Sequence, residues 1–277
     1  MTLPQAANMR LMSEADGPGL RAGAARREPI ITVRGLTVGF GGQTVLDGRD
    51  LDVFRGEILG IVGGSGTGKS VLMRSILGLN RKSSGRVAVN GQDLDDADHS
   101  ERQRIERSWG VLFQNGALFS SLTVKQNIQV PMREHMRMSE GLMDDLARLK
   151  IEMVGLQADA ADKFPSELSG GMVKRASLAR ALALDPAIVF LDEPTSGLDP
   201  IGAGQFDLLI AKLRDTLGLT VFMVTHDLDS LLTVCDRVAV LFAGKVLTEG
   251  PLRHVLGFDH PWIKAYFHGA RGRAALE

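Results

Sequence analysis

Short runs of branched apolar residues recur along the chain, and each is followed by glycine or polar residues. Three of these runs occupy residues 58–62, 187–191 and 219–224. A short apolar run that ends in turn-forming residues is typical of a buried strand. The pattern therefore predicts several buried strands of the kind found in parallel sheets.

Shorter apolar segments separated by glycine predict a second sheet region around the first run. Residues 30–33, 36–38 and 51–53 are indicated as strands, with a turn at Gly41 and Gly42. Residues 85–89 and the turn at 90–91 extend this region, and residues 238–242 and 245–247 are predicted to form a hairpin.

Helical periodicity dominates the remaining segments. It predicts a helix from about residue 71 to Gly78, a charged helix at residues 100–107, and a helix after Ser169 that stops at Asp185-Pro186. Residues 115–185 carry few strand signals, which indicates an inserted helical subdomain. Two interpretations of its methionines at positions 132, 136, 138, 143 and 153 remain open: helix core, or a flexible apolar face that receives a partner helix.

The two ends of the chain differ from the middle in composition. Residues 1–28 show little periodicity and no apolar segment of a secretory signal, so we expect a disordered tail. Residues 257–277 combine aromatic side chains with Lys264, Arg271 and Arg273. This final tail is predicted either to dock on a partner or to fold back on its own domain.

Composition narrows the function classes. A formal charge of −1 over 277 residues argues against bulk binding of nucleic acid, for which a clustered basic surface is expected. No stretch approaches the roughly 20 uncharged apolar residues that span a bilayer. The single cysteine, Cys235, excludes an internal disulfide and fits a reducing, cytoplasmic setting.

The first apolar run leads into a glycine-rich segment with the spacing Gly-x4-Gly-Lys-Ser. Inward-turned backbone N–H groups and a helix N-terminus both attract phosphate. We expect Lys69 to reach the β- and γ-phosphates and the Ser70 hydroxyl to hold Mg²⁺. The sequence therefore predicts a nucleoside triphosphate site at Gly63, Gly64, Ser65, Gly66, Thr67, Gly68, Lys69 and Ser70.

Two adjacent carboxylates follow the second apolar run. Asp192 and Glu193 stand at the carboxyl end of a predicted strand, the edge at which parallel sheets place ligands. We expect Asp192 to support Mg²⁺ and Glu193 to polarise an attacking water.

A second helix N-terminus is predicted beside two glycines. Ser169 is its expected cap, and Gly170 and Gly171 follow. Because one complete phosphate loop is already present, the simplest explanation is that this helix end serves a different nucleotide.

Two further residues are ambiguous on their own. Phe40 is compatible with stacking on adenine and with an ordinary place on an edge strand. His226, after the third run, is compatible with a bond to a γ-phosphate and with a structural role in a turn.

Taken together, these segments resemble the nucleotide-binding subunit of an ATP-binding cassette (ABC) transporter over residues 30–256. The resemblance implies an α/β fold: a P-loop NTPase with a RecA-like parallel-sheet core, an antiparallel β subdomain and an inserted α-helical subdomain. It also implies an ABC ATPase domain at residues 29–256 that binds ATP and Mg²⁺. The matching motifs are the adenine-stacking aromatic Phe40, the Walker A loop, the Q-loop residue Gln114, the signature at 168–172, the Walker B residues Asp192 and Glu193, the D-loop with Asp199, and the switch histidine His226.

The family resemblance implies a shared site. Two copies pair head to tail, and ATP on the Walker A loop of one is covered by Ser169, Gly170 and Gly171 of the other. Glu193 then acts as the base, and His226 clamps the γ-phosphate. Gln114 couples the Mg²⁺ site to the helical subdomain. Met172 departs from the usual Gln of the signature, but Ser169 and the glycines carry the phosphate contact.

A narrower resemblance points to the Mla or Mce-type lipid transporters and is carried by residues 112–124, 130–135 and 168–172. It implies an integral-membrane permease, a substrate-binding protein of the mammalian-cell-entry (Mce) class and a small STAS-domain protein as partners. It also implies phospholipid transport from the cytoplasmic face of the bacterial inner membrane, with a C-terminal tail that can hold the neighbouring subunit.

The sequence leaves three alternatives to weigh. A cassette for amino acids or another small solute remains possible, because the resemblance implies that residues 115–135 contact the permease and not the substrate. A soluble ABC ATPase acting on DNA or ribosomes would bring long coiled coils or a second cassette, and the sequence has neither. Membership of the P-loop kinases or GTPases would not explain the signature at 168–172 or His226.

Overall fold

The structure is a computed structural model that describes residues 28–267 and residue 269. Within these residues the chain forms one six-stranded and one four-stranded sheet, with helices packed around them. The strands are β1 (Pro29–Phe40), β2 (Gln43–Phe54), β3 (Ile58–Gly63), β4 (Ser84–Val89), β5 (Gln92–Asp93), β6 (Trp109–Leu112), β7 (Ile188–Asp192), β8 (Thr220–Val224), β9 (Arg237–Phe242) and β10 (Lys245–Gly250).

Nine α-helices lie among these strands in the described residues. They are α1 (Lys69–Ile76), α2 (His99–Arg107), α3 (Val124–His135), α4 (Glu140–Met153), α5 (Gly170–Ala181), α6 (Pro200–Leu217), α7 (Leu228–Val234), α8 (Leu252–Leu256) and α9 (Pro261–Phe267). Two short 3₁₀ turns, Ala158–Asp162 and Pro165–Glu167, lie between α4 and α5.

The larger sheet has the order β10-β9-β3-β8-β7-β6 and is parallel from β9 to β6. Every residue of β3, β7 and β8 is buried, which is why these strands appear in the sequence as unbroken apolar runs. The predicted α/β fold with a parallel-sheet core is confirmed. Since β3, β8, β7 and β6 are neighbours, their carboxyl ends meet at one edge of the sheet.

The smaller sheet is antiparallel, with the order β2-β1-β4-β5. The sequence predicted two strands at 30–33 and 36–38, but they form the single strand β1. Its register with β2 shifts between Val33 and Leu36, and Gly35 between them has a φ of 59°. A bulge at a glycine therefore interrupted the sequence pattern without ending the strand.

Between β6 and β7 the described chain is helical, and α3, α4 and α5 pack together. Met132 and Met143 are buried in their common core, and Met138 and Met153 pack partly buried against it. Met136 stays partly exposed. Four of the five methionines thus belong to the helix core, which favours the first interpretation given above.

Some helix limits differ from those predicted. Helix α1 ends at Ile76, two residues before the predicted end at Gly78, and Leu79 beyond it is 61% exposed. Helix α5 ends at Ala181 and not at Asp185. Helix α6 was not predicted, since Ile201 and Leu208 on it face outward and blur its apolar stripe.

The described part of the C-terminal tail folds back on its own chain. Ile263 and Phe267 of α9 are buried against Val62 of β3 and Val240 of β9. Arg271, Arg273 and the predicted disordered tail before residue 28 lie outside the described residues. Among the helices that the structure describes, none has both the length and the apolar character needed to cross a membrane.

Candidate nucleotide-binding site

The loop from β3 to α1 is shaped by glycines that cannot carry a side chain. A Cβ at Gly63 would lie 2.4 Å from the carbonyl oxygen of Leu241. Gly68 has a φ of 92°, in the left-handed region, and precedes the first residue of α1. The loop therefore wraps closely between β3 and β9 and leaves the N-terminus of α1 open toward the sheet edge.

Lys69 opens α1 and turns its ammonium back over the loop. Its Nζ donates to the carbonyls of Gly63 at 2.8 Å and of Gly64 at 3.0 Å. Burial lowers the pKa of Lys69, and the negative charges of Glu193 and Asp192 act in the opposite direction. The site thus carries a cation held directly above the phosphate loop.

Ser70 and Asp192 meet across the neighbouring strands. The Ser70 hydroxyl donates to Oδ1 of Asp192 at 3.1 Å, and the Asp192 residue is only 3% exposed. A hydroxyl and a carboxylate oxygen are brought together although 122 residues separate them in sequence.

Glu193 and His226 are paired at the ends of β7 and β8. Nδ1 of His226 lies 2.6 Å from Oε2 of Glu193, and the histidine side chain is 66% exposed. Glu193 has a φ of 49°, which places a non-glycine residue in the left-handed region. The Glu193 carboxylate thus lies against the imidazole at the carboxyl edge of the sheet.

One cavity of about 610 Å³ joins these groups, and this volume is in the range of ligand-binding pockets. The cavity is lined by residues 63–71 together with Val45, Gln114, Glu193, His226 and Tyr266. The four neighbouring strand ends of the parallel sheet therefore deliver the predicted phosphate loop, His226, Glu193 and Gln114 to one place.

The remaining predicted site residues do not line this cavity. Phe40 lies at the end of β1 and is 50% exposed. Ser169 caps α5 by accepting from the Met172 N–H at 3.3 Å, as predicted, and Asp199 caps α6 by accepting from the Gly202 N–H at 2.9 Å. Ser169 and Gly171 line a separate recess with Leu198 and Gly202, and Gly170 begins α5 beside it.

The sequence did not predict a place for Tyr266 in the site. Its hydroxyl donates to the carbonyl of His226 at 2.8 Å, and its ring stacks on Trp262 with centroids 4.7 Å apart. Burial is the main cause that raises the pKa of Tyr266, with smaller contributions from Glu193 and Asp227. The only available signal was a group of aromatic residues near the C-terminus, which gave no indication of the surface they cover.

Val45 was missed for a related reason. It lies on β2, in the smaller sheet, and also lines a second recess beside Ser65, Gly66 and Thr67. Only the packing of the two sheets brings it to the phosphate loop.

Comparison of the sequence and structure with known proteins identifies the family of this chain. The sequence profile described as "ABC transporter" matches residues 46–196, just over half of the chain. Among solved structures, a dimeric ATP-binding cassette in a post-hydrolysis state bound to ADP and Pi superposes with a TM-score of 0.73 at 31% identity. That superposition covers 82% of this chain and 100% of the other.

Similar proteins include ATP-binding subunits of several transport systems. The Intermembrane phospholipid transport system ATP-binding protein MlaF of Haemophilus influenzae is 39% identical over 82% of this chain and 86% of its own length. The Probable ribonucleotide transport ATP-binding protein mkl of Mycobacterium leprae is 40% identical over 87% of this chain and 69% of its own length. The Methionine import ATP-binding protein MetN of Caulobacter vibrioides is 43% identical over 80% of this chain and 65% of its own length.

Proposed function

The chain belongs to the ABC transporter family, and we propose that it is the ATPase subunit of a transporter that moves phospholipid between the membranes of a bacterial envelope. As an ABC ATPase it binds and hydrolyses ATP. The narrower assignment to phospholipid is supported by the similarity to MlaF. It is also supported by residues 112–124, 130–135 and 168–172, which resemble the Mla or Mce-type cassettes.

The observation that carries this assignment is a fixed loop after Gln114. Asn127, which is fully buried, accepts from the Phe119 N–H at 2.8 Å and donates to the carbonyls of Phe119, Leu122 and Thr123. Phe119 is thereby held with 52% of its surface exposed. An exposed aromatic on a rigid loop is suited to anchoring a partner. We assign this surface to the permease, and its sequence is the part of the chain that resembles the lipid transporters.

A small-solute importer is the second candidate, and the identity of 43% to a methionine import protein favours it. The ribonucleotide transport protein is a further relative of this kind. The loop around Phe119 contacts the permease and not the cargo, so it supports a type of permease. A direct identification of the cargo therefore separates the two candidates.

We assign ATP to the cavity of about 610 Å³. The amides of residues 63–68 and the ammonium of Lys69 are proposed to hold the phosphates. Phe40, which keeps half of its surface free, is proposed to stack on adenine. When bound, ATP supplies the γ-phosphoryl group that is transferred to water.

The residues present fit a Mg²⁺ ion. Ser70 and Asp192 offer a hydroxyl and a carboxylate oxygen 3.1 Å apart, and Gln114 lines the same cavity. Mg²⁺ prefers such oxygen ligands and usually completes its shell with water and phosphate oxygens, so a larger protein cage is not required. We propose that Ser70, Asp192 and Gln114 hold Mg²⁺, which when bound would stabilise charge on the phosphates.

For the reaction itself, Glu193 is the proposed general base. Its carboxylate lines the cavity and would accept a proton from the attacking water. His226, at 2.6 Å from that carboxylate, is proposed to orient it and to clamp the γ-phosphate.

We further propose that a second copy completes the site. The cavity on the same chain is not lined by Ser169, Gly170, Gly171 or Asp199. Ser169 and Gly170 are exposed, and no neighbour lies within 4 Å of a Cβ built at Gly170, so the start of α5 is open. A head-to-tail partner would place this helix start on the nucleotide. The solved cassette bound to ADP and Pi is itself a dimer.

The proposed assembly also includes partners that the family resemblance suggests. These are integral-membrane permease subunits, a substrate-binding protein of the Mce class and a small STAS-domain protein, at the cytoplasmic face of the bacterial inner membrane. We also keep the docking of the C-terminal tail on a neighbouring subunit as a proposal for the residues after Phe267.

The cargo assignment is tested by purifying the chain from membranes with its bound proteins and identifying proteins and lipids by mass spectrometry. We expect a permease, an Mce-class protein and phospholipid enriched over a preparation of the Phe119→Asp variant, which lacks the proposed aromatic contact with the permease. ATPase activity of the reconstituted complex should respond to phospholipid and not to methionine or ribonucleotides. A complex that carries a solute-binding protein and responds to methionine would overturn the lipid assignment and leave the ATPase assignment intact.

A further inference from the structure

Lys174 is a buried cation on α5 with an unusual set of partners. The residue is 6% exposed, and its Nζ donates to the carbonyl of Gln114 at 2.5 Å and to the carbonyl of Glu193 at 3.0 Å. In the part of the chain that the structure describes, no carboxylate lies within ion-pair distance of it. A buried ammonium needs hydrogen-bond acceptors, so these two carbonyls fix its position.

The two carbonyls stand at the ends of neighbouring strands. Gln114 follows β6 and Glu193 follows β7, and both residues line the nucleotide cavity. Lys174 therefore contacts the site residues through their backbone carbonyls, and its own side chain does not line the cavity.

Glu193 depends on such backbone support. Its φ of 49° is strained for a non-glycine residue. Its N–H donates to the carbonyl of Val224 at 2.8 Å, and its carbonyl accepts from Lys174 and from the Ser196 N–H at 3.2 Å. Bonds on both sides of the residue thus hold the conformation that turns its carboxylate toward His226.

The same helix carries the proposed contact with the second copy. Helix α5 begins at Gly170 after its cap Ser169, and Lys174 lies about one turn further on. Beyond it, Arg180 donates to the carbonyls of Gly116 and Ala117 at 2.9 and 2.6 Å. Helix α5 is therefore attached to the segment after β6 at two points and to Glu193 at one.

We propose that Lys174 is a positioning residue that links the start of α5 to Gln114 and Glu193. Closure of a second copy over residues 169–171 would then be coupled to the alignment of Glu193 within the same chain. This inference rests on the roles proposed above for Glu193, Gln114 and residues 169–171.

The test compares three variants of the full chain, purified with its membrane partners. Lys174→Met removes both hydrogen bonds and keeps an unbranched side chain of similar length. Lys174→Arg keeps a cationic donor. Lys150→Met is the matched control, because Lys150 is a buried lysine of the neighbouring helix α4 that pairs with Asp185, away from the nucleotide cavity. For Lys174→Met we expect kcat for ATP hydrolysis to fall roughly 10- to 100-fold, the usual effect of displacing a reacting group, with KM for ATP little changed.

We expect Lys174→Arg to recover most of the lost kcat and Lys150→Met to retain the activity of the unaltered chain. An unaltered kcat in Lys174→Met would overturn the inference. So would an equal loss in Lys150→Met, or a Lys174→Arg variant as inactive as Lys174→Met, because packing would then explain the effect. If Lys174→Met does not fold, Lys174→Gln takes its place with the same criteria.

The turnover of Glu193→Gln is measured alongside, so that a failure of the role proposed for Glu193 can be told from a failure of the role proposed for Lys174. If Glu193→Gln keeps its turnover, the proposed role of Glu193 fails. If Glu193→Gln is inactive and Lys174→Met is fully active, only the role of Lys174 fails.

Discussion

His226 and Glu193 face each other at the ends of adjacent parallel strands, with 2.6 Å between the imidazole Nδ1 and the carboxylate Oε2. The contact joins residues that lie on separate sequence motifs and that were assigned separate tasks. Tyr266 holds the carbonyl of His226 from the other side. The proposed catalytic pair is therefore positioned by three distant parts of the chain.

For Glu193→Gln we expect turnover to fall by roughly 10²–10⁴, the usual contribution of a general base. The amide cannot accept the proton but is similar in size, so ATP binding should persist. Turnover in steady state and binding of labelled ATP check the two expectations. Turnover near that of the unaltered chain would show that Glu193 is not the general base.

Ser169→Arg tests the helix start that we assign to the second copy. The bulky cation should prevent closure, so ATP-dependent dimerisation should be lost while ATP binding to the phosphate loop remains. Ser139→Arg is the matched control, since Ser139 caps α4 through a bond of the same length, 3.3 Å, to the Leu142 N–H. Both substitutions remove a helix N-cap, which typically costs about 1 kcal/mol of stability.

Dimerisation is measured by light scattering or analytical ultracentrifugation with ATP. A Ser169→Arg chain that still dimerises like Ser139→Arg would count against the shared site.

Trp262 is expected to report nucleotide binding. Its ring stacks on Tyr266, and its Nε1 lies 3.7 Å from the position that a Cβ on Gly64 would occupy. The chain has two tryptophans, so Trp109→Phe leaves Trp262 as the single emitter. We expect ATP to change its fluorescence, and Lys69→Ala to abolish the change at the same concentration. Constant emission while labelled ATP demonstrably binds would show that α9 does not sense the site.

Asp207 should make stability depend on pH. It is 2% exposed, accepts from the Ser230 hydroxyl at 2.7 Å, and burial raises its pKa to about 6 from an ordinary 3.8, with smaller contributions from Asp227 and Asp229. Between these values the folded chain keeps a proton that the unfolded chain has lost, so the contribution of Asp207 to stability falls as pH rises.

Asp207→Asn cannot ionise, so its unfolding free energy should vary less than that of the unaltered chain between about pH 4 and pH 6. Denaturant titrations across this range check the slope. Asp215→Asn, at an exposed position of the same helix, should keep the slope of the unaltered chain. Equal slopes in the unaltered chain and Asp207→Asn would contradict the assignment.

Local patterns were sufficient to predict the elements that form the sheet edge. The residues of the phosphate loop, Asp192, Glu193 and the cap at Ser169 each follow from a few adjacent residues, so sequence alone placed them on the correct elements. The bulge at Gly35 and the outward apolar residues of α6 obscured the local pattern, so β1 was predicted as two strands and α6 was not predicted.

Contacts between distant segments could not be predicted in this way. Tyr266 reaches His226 across 40 residues, and Lys174 reaches Gln114 across 60. Neither contact has a periodic or compositional signature, because it arises from the packing of α9 and α5 on a sheet formed by other segments. The support around the site, more than the site itself, required the structure.

The central claim is that each nucleotide is held by two copies of the chain. The most direct measurement is a structure of the Glu193→Gln variant with ATP and Mg²⁺. We predict two ATP molecules between paired copies, each bound by residues 63–70 of one and by Ser169 of the other. A nucleotide fully enclosed by one chain, with Ser169 of the partner out of reach, would contradict the account.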